Sequence, residues 1–150
     1  MTFVRVTVAM LTLIGRSIGG ALLAGTVYAT VFYATHLMWV GEFLGPVPWL
    51  ALAGLEAILF GAGAVPIALA YRWTARHRPR SAVQLIAVPL LVGGLWAARE
   101  VVMGAWPYSG FPWARLGMTQ VGGPLAEVVS WTSVTGLSLL IVILCASGVQ

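Results

Sequence analysis

Three charged residues lie inside long apolar stretches, where an unpaired charge is costly. Glu56 lies about nine residues into the stretch 47–71, and Arg99 and Glu100 lie near the end of the stretch 82–106. An ionised side chain at membrane depth is expensive unless it is paired or faces water, so such residues often mark functional sites. Two interpretations of Glu56 stay open. It is either a neutral partner in an interhelical hydrogen bond or part of a polar pocket or proton site.

Arg99 and Glu100 are neighbours in sequence, and neighbours on a helix point about 100° apart. We therefore predict that the two side chains do not pair face to face. One is expected to face another helix and the other an aqueous cavity. Glu100 is the better functional candidate, because a long Arg99 side chain can snorkel or pair with an acid elsewhere.

The segment 104–124 reads GAWPYSGFPWARLGMTQVGGP and is rich in aromatic residues and proline. Four aromatic residues fall within eight positions: Trp106, Tyr108, Phe111 and Trp113. Aromatic side chains concentrate at the membrane–water interface, so an aromatic belt is one interpretation. The other is a rigid amphipathic loop that handles a lipid or lipidated substrate, with Arg115 contacting a phosphate.

The composition excludes several kinds of site. All eight basic residues are Arg, all four acids are Glu, and Lys, Asp and Asn are absent. These residues alone therefore build neither a Walker P-loop nor a Ser-His-Asp triad. The single Cys145 excludes an internal disulfide and a multi-thiolate metal site, and we expect no metal and no other cofactor. The net charge of +4 is interpreted as arginine placed at the cytoplasmic face of a membrane rather than as a nucleic-acid-binding surface.

These side chains must be positioned by membrane helices, because 60% of the residues are hydrophobic and 8% are charged. Each of four apolar stretches has about 24 residues, or roughly 36 Å of helix, which is enough to span a bilayer. We predict an all-α polytopic transmembrane helix bundle with about four spans, at about 17–40, 47–71, 82–106 and 124–147. Ala53, Ala57 and Gly61 recur every fourth residue and predict close helix packing beside Glu56.

The placement of arginine predicts the orientation of the bundle. Four arginines lie between residues 72 and 80, which predicts a cytoplasmic loop at 72–81 by the positive-inside rule. The segment 104–124 is then a periplasmic loop, and both chain ends are cytoplasmic. The first sixteen residues are interpreted as the tail of an earlier span or an interfacial approach.

Four blocks in the last third of the chain form a recognisable pattern: Glu100-Val-Val-Met-Gly104, Gly110-Phe-Pro-Trp113, Leu116-Gly-Met-Thr-Gln120 and Gly123-Pro-Leu125. Together they resemble the membrane domain of apolipoprotein N-acyltransferases, and the resemblance extends over about residues 16–144. The Gly-Phe-Pro-Trp block with its downstream Gln is the most specific part. Met103 stands where the family usually has Arg, and Thr119 stands where many members have Ser.

The resemblance implies a bacterial inner-membrane protein that is active in lipoprotein maturation. The family transfers an acyl chain from a phospholipid to the N-terminal diacylglyceryl-Cys of an apolipoprotein. Its chemistry resides in a periplasmic nitrilase-like domain with a Glu-Lys-Cys triad. Because this chain has no Lys, we expect residues 1–150 to be a partial transmembrane domain that is inactive alone. Matching positions are implied to shape the cavity that substrates enter: Glu100, Gly110, Phe111, Pro112, Trp113 and Gln120.

Two alternative functions stay open at this point. One is a non-catalytic membrane scaffold for a polyprenol-phosphate mannose synthase, which would make a glycosyltransferase the partner. The other is a small four-span transporter subunit with Glu56 as its polar site, against which the Gly-Phe-Pro-Trp loop argues. The expected partners are otherwise the membrane, a phospholipid acyl donor and an apolipoprotein, and not nucleic acid.

Overall fold

The computed structural model describes residues 2–77, 82–106, 110–112 and 115–149, and within these ranges the chain is helical, without strands. The six α-helices are α1 (Thr2–Leu13), α2 (Ile18–His36), α3 (Met38–Leu44), α4 (Pro46–His77), α5 (Ala82–Met103) and α6 (Val129–Gly148). The described part of the connection between α5 and α6 includes the 3₁₀ helices Leu116–Gln120 and Ala126–Val128. The predicted all-α fold is confirmed. Four segments are long and apolar enough to cross a membrane: Ile18–His36, Pro46–Ala75, Gln84–Met103 and Ala126–Gly148.

The most extensive helix pairing joins α2 to α4 through small residues. In α2 the buried residues recur every fourth position: Ala21, Gly25, Ala29 and Tyr33. A Cβ added to Gly25 would lie 2.7 Å from the Ala64 Cβ, and one added to Gly61 would clash with the Thr26 hydroxyl. The small-residue line through Gly61 therefore packs closely against a neighbouring helix, as predicted.

The connection from α5 to α6 lies at one end of the bundle, which we call the loop end, and the C-terminal end of α4, which carries Arg72 and Arg76, lies at the other, the arginine end. Helix α4 is longer at the arginine end than predicted, because it continues to His77 instead of ending at residue 71. The first part of the predicted loop 72–81 is therefore helical. No Gly or Pro interrupts the chain between Pro66 and Pro79, and the Thr74 hydroxyl donates to the Ala70 carbonyl at 2.9 Å.

Helix α1 packs on the bundle instead of approaching it along an interface. It buries Val6, Met10 and Leu13, and it contacts both α2 and α6. The Thr2 and Thr119 hydroxyls are 3.1 Å apart, so α1 begins beside the 3₁₀ helix Leu116–Gln120. The Phe3 carbonyl also lies 3.7 Å from the Cys145 Sγ atom, so the start of α1 lies between this 3₁₀ helix and the C-terminal part of α6.

Helix α6 contains a break that separates its first turn from its straight part. Ser133 has φ 65° and ψ 171°, a backbone conformation that is unfavourable for residues other than glycine. Its hydroxyl accepts a hydrogen bond from the Gly136 N–H at 3.4 Å, as an N-cap residue does. The regular helix therefore restarts at Val134, later than the predicted span 124–147.

The close packing of α2 on α4 predicts an asymmetric response to added methyl groups. We expect Gly25→Ala to lower the free energy of unfolding by about 1–3 kcal/mol, because its Cβ would overlap Ala64. Gly54→Ala is the matched control, since open space surrounds Gly54 and alanine favours a helix by up to about 1 kcal/mol. Denaturant titration in detergent measures both values, and equal destabilisation would contradict this packing.

Candidate functional site

The buried carboxylate of Glu100 joins α5 to the connection that follows it. Its side chain is 3% exposed. The Oε1 atom accepts one hydrogen bond from the Trp96 indole N–H at 3.0 Å and another from the Leu116 backbone N–H at 2.9 Å. Trp96 lies one helical turn before Glu100, whereas Leu116 begins the 3₁₀ helix Leu116–Gln120. One oxygen atom therefore fixes both the indole on α5 and the start of this 3₁₀ helix.

Arg99 lies between two aromatic rings next to this carboxylate. Its guanidinium carbon is 3.9 Å from the centroid of the Phe60 ring and 4.2 Å from that of Trp96. Gly63 leaves space for the arginine stem, since an added Cβ there would clash with Arg99 Cδ. Arg99 Nη2 lies 4.0 Å from Glu100 Oε1. The prediction that these neighbours do not pair is wrong, because both side chains reach Trp96, where the Arg99 guanidinium lies over the ring and Glu100 Oε1 accepts from the indole N–H.

Aromatic faces supply much of the environment of the Arg99 charge. Its Nε and Nη1 atoms are buried without a hydrogen-bond partner in the described part of the chain. A cation on an aromatic face gains about 2 kcal/mol when it is desolvated. The two rings and the nearby carboxylate therefore stabilise a charge that would otherwise be costly to bury.

Glu56 and Glu100 line one small internal cavity at the loop end. The other lining residues are Tyr33, Met103, Phe111 and Arg115. The space is about the size of a single water molecule. One oxygen of each carboxylate, Oε2, is buried and without a hydrogen-bond partner among the described residues. The cavity thus brings two carboxylates and a guanidinium together from α4, α5 and the following connection.

The segment that covers this cavity depends on two glycines. Gly110 has φ 71°, and an added Cβ would clash with the backbone of Gly104 and Ala105. The next residue, Phe111, donates its backbone N–H to the Met103 carbonyl at 3.0 Å. Gly104 in turn leaves room for the Arg115 guanidinium, whose Nη2 would lie 2.6 Å from an added Cβ. These close approaches explain why glycine is needed before Phe-Pro-Trp.

The same connection is anchored to α6 by hydroxyl groups. The Gly117 N–H donates to Ser138 Oγ at 2.8 Å, and Arg115 Nη1 donates to Thr135 Oγ1 at 3.2 Å. Leu116, Gly117 and Gln120 are buried. The predicted periplasmic loop 104–124 is therefore partly an internal element of the bundle, and irregular backbone at this depth is permitted where protein buries it.

The structure brings most of the predicted site residues together. Glu56, Glu100, Phe111 and Arg115 surround one cavity, and Arg99 lines a second small space that also contacts Tyr33 and Glu100. Gly110 supports this arrangement from the backbone, and Pro112 is half-buried. Gln120 lies outside both spaces, where its side-chain amide donates to Thr119 Oγ1 at 3.3 Å. Trp113 lies outside the described residues.

Sequence reasoning missed three contributors to the cluster: Tyr33 as a cavity wall, Trp96 and Phe60. Trp96 carried a usable signal, because residues four apart on a helix share a face. Phe60 carried none, since only the packing of α4 on α5 brings it to Arg99. Within the described residues, no three metal-ligating side chains converge. The Cys145 thiol donates to the Phe3 carbonyl at 3.7 Å and lines neither of the two small cavities.

Comparison with known proteins gives a consistent family. Residues 1–147 match the family model described as the apolipoprotein N-acyltransferase N-terminal domain. The chain is 34% identical over 121 residues to an apolipoprotein N-acyltransferase of Geobacter metallireducens, a match covering 78% of this chain and 22% of that protein. An apolipoprotein N-acyltransferase of Haemophilus influenzae is 28% identical over 126 residues, or 76% of this chain and 23% of the relative.

A third relative, an apolipoprotein N-acyltransferase of Mycolicibacterium smegmatis, is 40% identical over 52 residues, which are 33% of this chain and 9% of that protein. The chain thus spans less than a quarter of the length of the first two relatives. No solved structure matches it.

The two hydrogen bonds accepted by Glu100 predict how the connection responds to substitution. Glu100→Ala leaves the Trp96 and Leu116 N–H groups buried without an acceptor, at about 1–3 kcal/mol for each donor. We expect amide exchange at Leu116 to accelerate by about tenfold or more. Glu100→Gln keeps an acceptor oxygen and should retain most of the protection. Exposed Glu127→Ala is the control, and an unchanged Leu116 rate in Glu100→Ala would contradict this arrangement.

Alanine substitutions at two glycines with positive φ, Gly110 and Gly122, distinguish the effect of steric overlap from that of backbone strain. Gly110→Ala adds both, whereas Gly122→Ala adds only strain of about 1–2 kcal/mol, because Gly122 has φ 73° and open surroundings. We expect limited proteolysis of the segment 104–124 to be faster in Gly110→Ala than in Gly122→Ala. Similar cleavage rates in the two variants would show that Gly110 is not closely packed.

Proposed function

Because residues 1–147 match its N-terminal domain, this chain belongs to the apolipoprotein N-acyltransferase family, and we propose that it forms the membrane domain that receives the substrates for acyl transfer. In this proposal a phospholipid donates an acyl chain, and the N-terminal diacylglyceryl-Cys of an apolipoprotein accepts it. The reaction belongs to lipoprotein maturation.

The proposal is carried by the attachment of the Gly-Phe-Pro-Trp segment to the buried polar cluster. Glu100 fixes the start of the 3₁₀ helix, and Gly110 allows Phe111 to lie over the cavity. Residues 110–112 and 115–120 are thereby held in one orientation at the loop end. A preorganised surface loses less conformational entropy when it binds a substrate, which suits a segment that must receive a lipid.

Binding and positioning, rather than bond making, are the proposed tasks of these residues. The family's triad needs a Lys, and these 150 residues contain none. Phe111 and the surrounding aromatic residues offer an apolar surface to acyl chains, and Arg115 offers a positive charge near the loop end. Since Thr135 already accepts a hydrogen bond from Nη1 and Nε is buried, Nη2 is the atom of this guanidinium left for a phosphate.

We propose that the arginine end faces the cytoplasm and the loop end faces the periplasm of a bacterial inner membrane. The positive-inside rule supports this orientation, because four arginines lie between residues 72 and 80, two in the last turns of α4 and two in the sequence that follows it. The turn at Arg16 and the C-terminal end of α6 then lie toward the cytoplasm.

A domain replacement tests the proposed function. Residues 1–147 replace the matching segment of the Geobacter metallireducens relative, and mass spectrometry follows N-acylation of a diacylglyceryl lipopeptide in phospholipid vesicles. We expect the chimera to form product, Glu100→Ala to reduce its rate about tenfold, and Glu127→Ala to stay within about twofold. A scaffold for a mannose synthase or a transporter subunit would not support this reaction.

Controls make each result interpretable. Protection of the Leu116 amide and a monodisperse chromatographic peak report that a variant is folded. A folded chimera without activity, or one that is indifferent to Glu100→Ala, would contradict the proposal. Turnover by the isolated 150 residues would also contradict it, because positioning residues alone do not transfer an acyl group.

A further inference from the structure

A groove between α4 and α5 extends from the middle of the bundle toward the arginine end. It has a volume of about 520 Å³, in the range of small-molecule sites. Its walls are apolar: Pro66, Leu69, Ala70, Leu91 and Leu95. Its rim toward the arginine end consists of Arg72 and Trp73. None of these residues lines either cavity at the loop end, so the groove is separate from the cluster around Glu100.

The charge at this rim has no complement along the two helices. Among the described residues that line the groove, Arg72 is the one charged side chain. The sequence contains no acid between Glu56 and Glu100, a stretch that holds five arginines. Glu56 and Glu100 themselves line the loop-end cavity. An anion that balances Arg72 must therefore come from outside α4 and α5.

The order of groups along the groove matches that of a phospholipid. The wall from Pro66 to Trp73 extends over eight residues, or about 10 Å of helix, and its lining residues are apolar up to Arg72. Leu69 and Leu91 are each 41% exposed and offer surface to an acyl chain. Trp73 stands beside the arginine, as tryptophan does where hydrocarbon meets head groups.

We propose that this groove binds an anionic phospholipid from the leaflet on the arginine side, with an acyl chain along Leu69, Leu91 and Leu95 and the head-group phosphate at Arg72. Basic pockets between transmembrane helices recognise anionic head groups in this way. A zwitterionic lipid binds less tightly, because Arg72 repels its ammonium group. The bound lipid is distinct from an acyl donor at the loop end.

Native mass spectrometry of the whole chain in detergent tests the site. The protein is titrated with phosphatidylglycerol or with phosphatidylcholine of identical acyl chains, and the one-to-one adduct is quantified. We expect phosphatidylglycerol to bind about tenfold more tightly, and Arg72→Gln to remove most of this preference. Arg16→Gln is the matched control, because Arg16 is an exposed arginine outside the groove.

A second pair of variants tests the acyl-chain part of the groove. Leu91→Trp fills the groove while leaving Arg72 in place, whereas Leu90→Trp changes an exposed neighbour that does not line it. We expect Leu91→Trp to weaken the binding of both lipids and Leu90→Trp to leave the binding of both unchanged. Loss of Leu116 amide protection identifies any variant that has lost its fold.

Three results would overturn the proposal. An equal loss of the preference for phosphatidylglycerol in Arg72→Gln and Arg16→Gln would indicate diffuse attraction by surface charge. Unchanged binding in Leu91→Trp would place the lipid outside the groove. A second copy of the chain in place of the lipid adduct would make the groove a helix-packing surface. Acyl transfer by the chimera does not enter this test, so failure here leaves the proposed function standing.

Discussion

The fold of the loop end depends on a single buried carboxylate oxygen. Glu100 Oε1 receives N–H groups from Trp96 on its own helix and from Leu116 in the connection, and it faces the guanidinium of Arg99. The first N–H groups of the 3₁₀ helix Leu116–Gln120 have no acceptor within that helix and need partners in an apolar environment. One acceptor meets that need here, and the indole that it orients also forms one face of the Arg99 site.

Close backbone approach is the second condition for this arrangement. Gly63 makes room for the Arg99 stem, Gly104 for the Arg115 head group, and Gly110 for the return of the chain onto α5. Gly25 and Gly61 bring α2 and α4 together and so place Tyr33 and Glu56 on the same cavity. Glycine in this chain thus decides where polar side chains can be buried, and larger residues would displace them.

The sequence was sufficient for the architecture and for most members of the site. Hydropathy and length predicted the four spans, and the cost of a buried charge singled out Glu56, Arg99 and Glu100. It was insufficient for the partners of those residues. The pairing of Arg99 with Glu100 depends on side-chain torsions and on Phe60 from another helix, which no local pattern encodes. The extension of α4 to His77 was missed because the arginines were read as a loop, although the first helix-breaking residue is Pro79.

The central claim is that the hydrogen bond from the Trp96 indole holds the buried Glu100 carboxylate, the acceptor on which the loop end depends. A double-mutant cycle of Glu100→Ala and Trp96→Phe tests this most directly, with the free energy of unfolding in detergent measured for each variant. The account predicts a coupling of about 1 kcal/mol or more, because Trp96→Phe costs little once its acceptor is gone. Additivity within about 0.3 kcal/mol would contradict it, since the two side chains would then contribute independently.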